Sequence, residues 1–427
     1  MVMSFLVNSK TDGREIACFG KSWRLSKAVD GSPHTTTFAA LQERMAPVCH
    51  RIGLQRLADI SCLDRIGIPV VNAVRPATVG MSVAHGKGRT LEGAKASALM
   101  ESCERYWGCN VELPLTVCSY RELQRRYDVI PEDRLPWSRD ALFSSGLPEP
   151  WVAGWDLIGN REVMVPWRLV TMLPPRTGFD SFARSSNGLA AGLEFLEALS
   201  QALFEVIERD ALSCHHALMH RQRQMFPVYR LPLQEIVVPD LRRLIEQIQA
   251  AEIEVLLFDC TVDTRVPTYE CSLFDERDPE MPLCSGMGAS LDMETALSRA
   301  LTEAVQGRAV YLSGCRETFL AAEMGMPLEK NRERCIEYLR REDSFPDRGE
   351  RSGGCCSTKT GSFEEDINLC LARLRGVGVE QVIVVRLTEE DEPFNVVRVI
   401  VPGLEGCDEL INYTPGKRAA DYRGDCC

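Results

Sequence analysis

Several features that assign a protein to a broad class are missing from this sequence. No apolar run approaches the roughly 18 residues of a membrane-spanning helix, so we expect no membrane insertion. Lys and Arg number 49 against 61 Asp and Glu, and the net charge of -12 argues against a nucleic acid as the main partner. The first residues lack a basic stretch and a cleavage site, so we expect a cytoplasmic protein.

Metal-binding patterns of cysteine and histidine are missing too. None of the 18 cysteines belongs to a C-x-x-C pair, so the sequence indicates no zinc site. Cysteine packs well in cores as a small apolar side chain, and we expect most of the cysteines to be buried free thiols. His215, His216 and His220 lack a carboxylate at metal-ligand spacing, which favours structural roles for them.

What the sequence does have is a polar stripe on a helix predicted within residues 185–210. At about 100° per residue, five side chains fall within an arc of about 80° on this helix. They are Glu194, Glu197, Gln201, Glu205 and Glu208. Stacked carboxylates repel one another, so we expect a cation against them. Mg²⁺ shared with nucleotide phosphates fits best, because it prefers carboxylate and phosphate oxygens. A solvated face of an ordinary amphipathic helix is the alternative.

Two further predicted helices repeat this geometry. Ser97, Glu101 and Glu104 lie within about 60° of one another on a helix that follows a Gly-Lys-Gly turn. Arg299, Glu303 and Gln306 do the same on a third helix. Three helices with aligned carboxylates are hard to explain as surface decoration, and together they favour a shared Mg-nucleotide site.

The segments that carry these stripes resemble the YcaO family, ATP-dependent enzymes that activate peptide backbone amides. The matching motifs, in the family's order, are GKG with SALMESCER, SSNGLAAG with EALSQALFEVIERDA, and ALSRALTEAVQGR. The segment GLQRLADISCLDRIGIPVV before HGKG is similar to the subgroup that acts with a TfuA partner. The resemblance implies an α/β, YcaO-type fold of several mixed subdomains with ATP and Mg²⁺ at their junction. We expect a lead-in over residues 1–57, a catalytic domain over 58–400 and a polar tail over 401–427.

Carried onto this chain residue by residue, the resemblance implies two sets of ligands. The nucleotide would be held by Lys87, Ser97, Asn187, Gln201, Arg299, Gln306 and Arg308. The metal-binding or phosphate-positioning carboxylates would be Glu101, Glu104, Glu205, Glu208 and Glu303. The motifs do not decide which carboxylate binds which ion, and they identify no catalytic base.

In the family picture, ATP phosphorylates the amide oxygen and so makes it a leaving group. An external sulfide would then give a thioamide, and a neighbouring Cys or Ser side chain would give an azoline. The similarity to the TfuA-associated subgroup predicts thioamide formation on a peptide or protein, with a TfuA-like partner and a sulfur donor. The alternatives are an azoline-forming cyclodehydratase and a non-catalytic ATP-binding scaffold. A homodimer is compatible with the sequence.

The C-terminus differs from that of the azoline-forming relatives, which tend to end in a proline-rich tail. One proline occurs in the last fifteen residues here. A polar tail without that rigidity cannot hold a terminal carboxylate at proton-transfer distance. We therefore predict a mobile tail, and we expect deletion of residues 424–427 to leave amide activation intact.

Overall fold

The structure is a computed structural model that describes most of the chain. The described residues are 15–25, 36–78, 81–139, 141, 143–173, 181–182, 184–220, 229–278, 280–315, 336–337, 339–340, 357–406 and 413–423. Helices and sheets alternate through these ranges, so the α/β prediction is confirmed. No helix in these ranges combines the length and the apolarity that a membrane crossing requires.

The strands pair in antiparallel fashion. They are β1 (Ile16–Cys18), β2 (Lys21–Trp23), β3 (Arg56–Asp59), β4 (Val70–Val74), β5 (Val83–Lys87), β6 (Thr116–Ser119), β7 (Pro148–Asp156), β8 (Arg161–Pro166), β9 (Leu189–Gly192), β10 (Tyr229–Arg230), β11 (Glu254–Asp259), β12 (Thr268–Phe274), β13 (Cys284–Ala289), β14 (Ile383–Arg386) and β15 (Asn395–Ile400). Strands β1 and β2 form a hairpin. Three larger sheets have the orders β3-β4-β5, β10-β11-β12-β13 and β6-β7-β14-β15-β9, and β8 also pairs with β7 in the last of these.

The helices vary from one turn to seven turns in length. They are α1 (Phe38–Arg51), α2 (Leu91–Cys109), α3 (Tyr120–Leu123), α4 (Trp167–Val170), α5 (Phe195–His220), α6 (Pro239–Ala250), α7 (Met293–Leu312), α8 (Phe363–Gly376) and α9 (Lys417–Arg423). Thr90 caps α2, because its hydroxyl accepts a hydrogen bond from Gly93 N at 3.1 Å. Asp292 caps α7 in the same way.

Helix α5 is the centre of the largest apolar core. Its apolar face is buried and packs against β15 and α8. Leu199 and Ile207, for example, are both 0% exposed. Burial of one such side chain contributes about 1.5–3 kcal/mol to stability, so this face fixes the orientation of the polar stripe on the other side of the helix.

Three strand–helix units share one design, namely β5 with α2, β9 with α5, and β13 with α7. In each unit the helix packs directly on the strand that precedes it. An ideal Cβ at Gly86 would lie 2.1 Å from Ala98 N, and one at Gly286 would lie 2.1 Å from Ala304 N. Only glycine allows the helix backbone to approach the strand this closely.

The three units are arranged as a closed ring. Helix α2 contacts β9 of the second unit, α5 contacts β13 of the third, and α7 contacts β5 of the first. Each helix therefore packs on its own strand and also meets the strand of the next unit. The polar stripes of all three helices lie where these contacts meet.

Two predicted segments contain more structure than we expect from the sequence. The lead-in over residues 1–57 contains the β1–β2 hairpin and α1. The tail over residues 401–427 contains α9, which packs on α5. The expectation of a mobile tail is thus wrong for residues 413–423, because the ion pair of Arg418 with the buried Asp210 and the hydrogen bonds to Glu405 hold them in place. Residues 424–427 lie outside the described residues.

Candidate functional site

In each unit, one residue near the end of the strand contacts the helix of the preceding unit of the ring. These residues are Lys87, Ala191 and Met287, which occupy equivalent places in their units. The contacts are an ion pair of Lys87 Nζ with Glu303, a hydrogen bond of 2.9 Å from Ala191 N to Glu104 Oε1, and one of 3.2 Å from Arg209 Nη1 to Met287 Sδ. Two of the three contacts engage predicted carboxylates, so the ring gathers the stripes into one site.

The gathered carboxylates repel one another in a poorly solvated place. Burial raises the pKa of Glu104 well above its usual value, and the charges of Glu101 and Glu205 raise it further. Burial also raises the pKa of Glu205 to about 7, against the lowering by Arg209 and Arg398, and the charges of Glu208 and Glu303 add to the increase. The electrostatic coupling thus runs from α2 through α5 to α7.

Glu208 and Glu303 shift in opposite directions. Burial raises the pKa of Glu208, and Glu303 adds to the increase. Burial would also raise the pKa of Glu303, but Lys87 and Arg209 overcome this effect and lower it. Glu303 is therefore the carboxylate whose negative charge the protein itself stabilises, and Glu205 and Glu208 are the ones that need a further cation.

Cations border the site on two further sides. Arg105 Nη2 lies 2.6 Å from Glu101 Oε1, one turn along α2. Arg299 contacts Gln201 of α5 and donates to Ala289 O at 3.3 Å. Burial lowers the pKa of Arg299, and the carboxylates Glu208 and Glu303 counteract that effect.

Most of the predicted nucleotide ligands lie near these carboxylates in sequence and in space. Ser97 accepts a hydrogen bond of 3.4 Å from Lys87 N. Gln306 is half-buried one turn after Glu303. The side-chain oxygen of Asn187 is buried and accepts no hydrogen bond from any described residue. Since a buried acceptor without a donor is costly, Asn187 is suited to bind a ligand that brings one.

Arg308 is in a different environment. Its side chain is 1% exposed, and it forms ion pairs of 3.0 Å with both Asp64 and Asp275. These contacts join α7 to the β3–β4 connection and to the end of β12. Its predicted nucleotide contact stays a prediction, and the structure gives Arg308 a stabilising role in the fold.

The polar stripe of α5 is shorter than the sequence predicts. Helix α5 begins at Phe195, so Glu194 lies before it and pairs with Arg44 on the surface. Glu197 accepts a hydrogen bond from Leu193 N at 2.9 Å at the start of the helix. The expectation of a continuous stripe is therefore wrong for these two residues. Glu194 forms a surface ion pair, and Glu197 accepts a hydrogen bond at the start of the helix.

The donor set fits Mg²⁺ that is shared with phosphates. In the described ranges, no three His, Cys, Asp or Glu side chains converge closely enough to hold a metal ion alone. Mg²⁺ does not need such a cluster, because proteins usually bind it through one or two carboxylates while phosphates and water complete its shell. Buried and half-buried, mutually repelling carboxylates beside Lys87 and Arg299 match that requirement.

Sequence reasoning missed two arginines. Arg209 lowers the pKa of Glu205, Glu208 and Glu303, and its spacing from Glu205 repeats that of Arg105 from Glu101. Arg398 lies in the otherwise apolar strand β15, where it is 5% exposed. It donates to Ser185 O at 2.8 Å, close in sequence to Asn187. Arg398 interrupts the apolar run FNVVRVIVP, and a charge inside such a run was the signal available for it.

The predicted structural roles of the histidines fit the described residues. His215 is buried on α5. His216 Nε2 lies 3.9 Å from Glu270 Oε2 of β12, a carboxylate that is distant in sequence. The side chain of His220 lies outside the described residues. Most described cysteines are buried, as expected, and burial raises the pKa of thiols such as Cys103.

Comparisons with known proteins identify the family. The family model described as YcaO cyclodehydratase, ATP- and Mg²⁺-binding, matches residues 85–405. An uncharacterized protein of Methanothermobacter thermautotrophicus is 37% identical over 370 residues, which are 83% of this chain and 90% of the relative. A protein of Rhizobium leguminosarum bv. trifolii, described as lying in the tfuA 3' region, is 30% identical over 381 residues, 86% of this chain and 87% of the relative.

Solved structures share the fold. The structure of YcaO from Methanopyrus kandleri bound with AMPPCP and Mg²⁺ superposes with a TM-score of 0.70 at 25% identity. The match covers 92% of this chain and 99% of that protein. A heterocyclase in complex with substrate and cofactor gives a TM-score of 0.72 at 21% identity and covers 93% of this chain. This chain spans 56% of the heterocyclase's length, so that likeness concerns the fold alone.

Proposed function

This chain belongs to the YcaO family, and from that membership we propose that it activates a backbone amide of a peptide or protein with ATP and Mg²⁺. A nucleophile adds to the amide carbon, the amide oxygen takes the phosphoryl group, and the oxygen leaves as phosphate. The observation that carries this proposal is the cluster of buried and half-buried carboxylates on α2, α5 and α7, bordered by Lys87, Arg209 and Arg299.

The carboxylates and the cations of the site have separate roles in this proposal. When bound, Mg²⁺ neutralises charge on the phosphates, and ATP supplies the phosphoryl group. Glu205 and Glu208 would offer carboxylate oxygens to the metal, since the cations of the protein do not offset the effect of burial on their charges. Lys87 and Arg299 would donate to phosphate oxygens, and their present partners would keep them in place before the nucleotide arrives.

We propose that the nucleophile is an external sulfide, so that the product is a thioamide. A sulfide that arrives from outside needs a donor, and a TfuA-like partner is the protein we expect to deliver it. The description of the Rhizobium relative, which places it beside tfuA, supports this pairing. So does the segment before β5 that resembles the TfuA-associated subgroup.

Azoline formation is the second candidate. It is favoured by the description of the matching family model as a cyclodehydratase. In that reaction a Cys, Ser or Thr side chain of the substrate attacks the amide carbon next to it, and the activated oxygen leaves as phosphate. The same cluster of carboxylates would serve both reactions. The two reactions therefore differ in the substrate and in the nucleophile.

A matched pair of peptide libraries tests the proposal. One library contains Cys, Ser and Thr, and the other has Ala at those positions. Each is incubated with the protein, Mg-ATP, sulfide and a TfuA-like protein, and the peptides are weighed by mass spectrometry. Thioamide formation exchanges oxygen for sulfur and adds about 16 Da in both libraries, whereas azoline formation removes water, about 18 Da, in the first library alone.

Each outcome has a distinct meaning. A gain of mass that requires sulfide supports the thioamide reaction, and a loss of water confined to the first library supports the azoline reaction. Binding of Mg-ATP without any change in peptide mass would favour the scaffold alternative. Saturating Mg-ATP should raise the melting temperature, because it binds the folded state selectively. A protein that shows no such rise would overturn the proposal as a whole.

A further inference from the structure

The C-terminal helix α9 is attached to α5 by a buried ion pair. Asp210 of α5 is fully buried, and its two carboxylate oxygens each accept a hydrogen bond of 2.8 Å from Arg418 of α9. Arg418 also lies 2.7 Å from Asp263 in the β11–β12 connection. Arg418 is thus held by two carboxylates, and it joins the C-terminal segment to the helix that carries Glu205 and Glu208.

A second attachment lies beside the first. The carboxylate of Glu405 accepts hydrogen bonds from Gly416 N and Ala419 N at 2.8 Å, and from the hydroxyl of Tyr413. The backbone nitrogen of Glu405 in turn donates to Asp210 at 2.8 Å. We call residues 404–406 and 413–423 the C-terminal clasp. Asp210 is the point on α5 where both attachments of the clasp meet.

Asp210 faces away from the carboxylates of the site. At about 100° per residue, it points about 140° from Glu205 and about 160° from Glu208 around the helix axis. The clasp therefore contacts α5 on the face opposite Glu205 and Glu208, at a residue two positions after Glu208. A rotation or shift of α5 at this place would move Glu205, Glu208 and Arg209 together, since a helix backbone transmits such displacements over one turn.

We propose that Arg418 is a positioning residue for the metal and nucleotide site, which it controls through Asp210. The clasp fixes the rotation of α5 about its axis, so that its two carboxylates meet Mg²⁺ at the correct distance. This inference rests on the proposed function, because it concerns the same site. It assigns the C-terminal segment a role in metal affinity, although no residue of the clasp is placed among the ligands.

The test compares three variants of the full-length protein. In Arg418→Gln the ion pair to Asp210 is lost, and in Lys417→Gln an exposed cation next to it in the same helix is lost instead. Half-maximal ATP turnover in Arg418→Gln should require about tenfold more Mg²⁺, the lower end of what residues that orient metal ligands contribute. Lys417→Gln should match the wild type. Deletion of residues 424–427, beyond the clasp, should also match it.

A purely structural role would give a different result. It would lower the melting temperature and the amount of active protein, but the folded fraction would keep its normal Mg²⁺ requirement. If Arg418→Gln does not fold, Asp263→Asn serves instead, because it weakens the orientation of Arg418 at a half-exposed carboxylate and should raise the Mg²⁺ requirement by a smaller factor.

The failure of this inference is distinguishable from the failure of the proposed function. A wild-type protein without Mg-dependent ATP turnover would overturn the proposed function. A wild-type protein that turns over ATP, together with an Arg418→Gln variant of unchanged Mg²⁺ requirement, would overturn the positioning role alone. Arg418→Lys keeps the charge but not the paired hydrogen bonds, so it should restore part of the metal affinity.

Discussion

The first and third units of the ring share a backbone design but balance their charges differently. In both units a Gly-x-Gly sequence lies near the end of the strand. In both helices, a glutamate lies seven residues after the first alanine that packs against these glycines. In the first unit, Glu101 is paired with Arg105 of its own helix. In the third unit, Glu303 is paired with Lys87, which belongs to the first unit. One carboxylate is balanced locally, and the other depends on closure of the ring.

The remaining stripe positions of these units differ as well. The first unit presents Ser97 and Glu104 where the third presents Arg299 and Gln306. The first is therefore rich in acceptors, and the third carries a donor. A site that holds both a metal and anionic phosphates needs this asymmetry, because carboxylates bind the metal and cations bind the phosphates. The second unit, α5, lies between them and carries two carboxylates.

The largest effect on ATP turnover should come from substitutions in α5, the helix of the second unit. Glu205→Gln or Glu208→Gln should abolish measurable ATP turnover, because an amide of nearly the same shape cannot offset the charge of the metal. Both variants should fold, since removing a raised-pKa carboxylate relieves repulsion. Phosphate release and circular dichroism check the two statements. Full turnover in both variants would return α5 to the role of an ordinary amphipathic helix.

The next largest effect should separate the two ways of balancing charge. Lys87→Met places in the first strand the residue that the third strand has at the equivalent position, Met287, and it removes the ion-pair partner of Glu303. We expect kcat/KM for ATP to fall by about a hundredfold, as for the loss of a preorganised charged donor. Steady-state kinetics measures this.

The matched control is Lys21→Met, which breaks a surface pair with Glu390. Exposed pairs contribute about 0–1 kcal/mol, and this pair lies outside the ring, so we expect turnover to be unchanged. If Lys87→Met behaves like Lys21→Met, then closure of the ring by Lys87 and Glu303 has no part in ATP turnover.

A smaller effect concerns pH. The pKa of Glu205 is raised from 4.5 to about 7 in the folded protein, so the folded state binds its proton more tightly than the unfolded state does. The stability that this proton gives is complete below pH 4.5 and is lost as the pH rises through about 7. The metal-free protein should therefore lose on the order of 2 kcal/mol from this group between pH 5 and 8. Glu205→Gln should flatten this part of the pH profile in thermal unfolding, and an unaltered profile would contradict the raised pKa.

The stripes themselves could be predicted from sequence because they depend on local periodicity. Helix geometry fixes which of Ser97, Glu101 and Glu104 share a face, whatever the rest of the fold does. The same rule applied to Arg308 places it about 140° from Glu303. The resemblance grouped Arg308 with the nucleotide ligands, whereas the structure places it in a buried pair with Asp64.

Long-range contacts were not accessible in this way. Lys87 meets Glu303 across 216 residues, and Arg418 meets Asp210 across 208. A helix of seven residues is too short to be stable on its own, and the tail helix α9 depends on contacts with distant partners such as Asp210. The ring and the clasp are both tertiary features. The local sequence of each segment does not predict which distant segment it contacts.

The smallest predicted effect comes from a substitution that makes the third unit resemble the first. Gln306→Glu gives α7 the carboxylate that α2 has as Glu104, three residues after Glu303. A like charge on the same helix face costs a few tenths of a kcal/mol, so the metal-free protein should melt about 1 °C lower. Mg²⁺ should offset that loss, because the added carboxylate faces the same site. Gln42→Glu adds the same charge at an exposed position of α1 and should show no such dependence on Mg²⁺. Thermal unfolding with and without MgCl₂ measures the difference. If the two variants respond alike to Mg²⁺, then position 306 does not face the site, and the equivalence between α2 and α7 ends at Glu303.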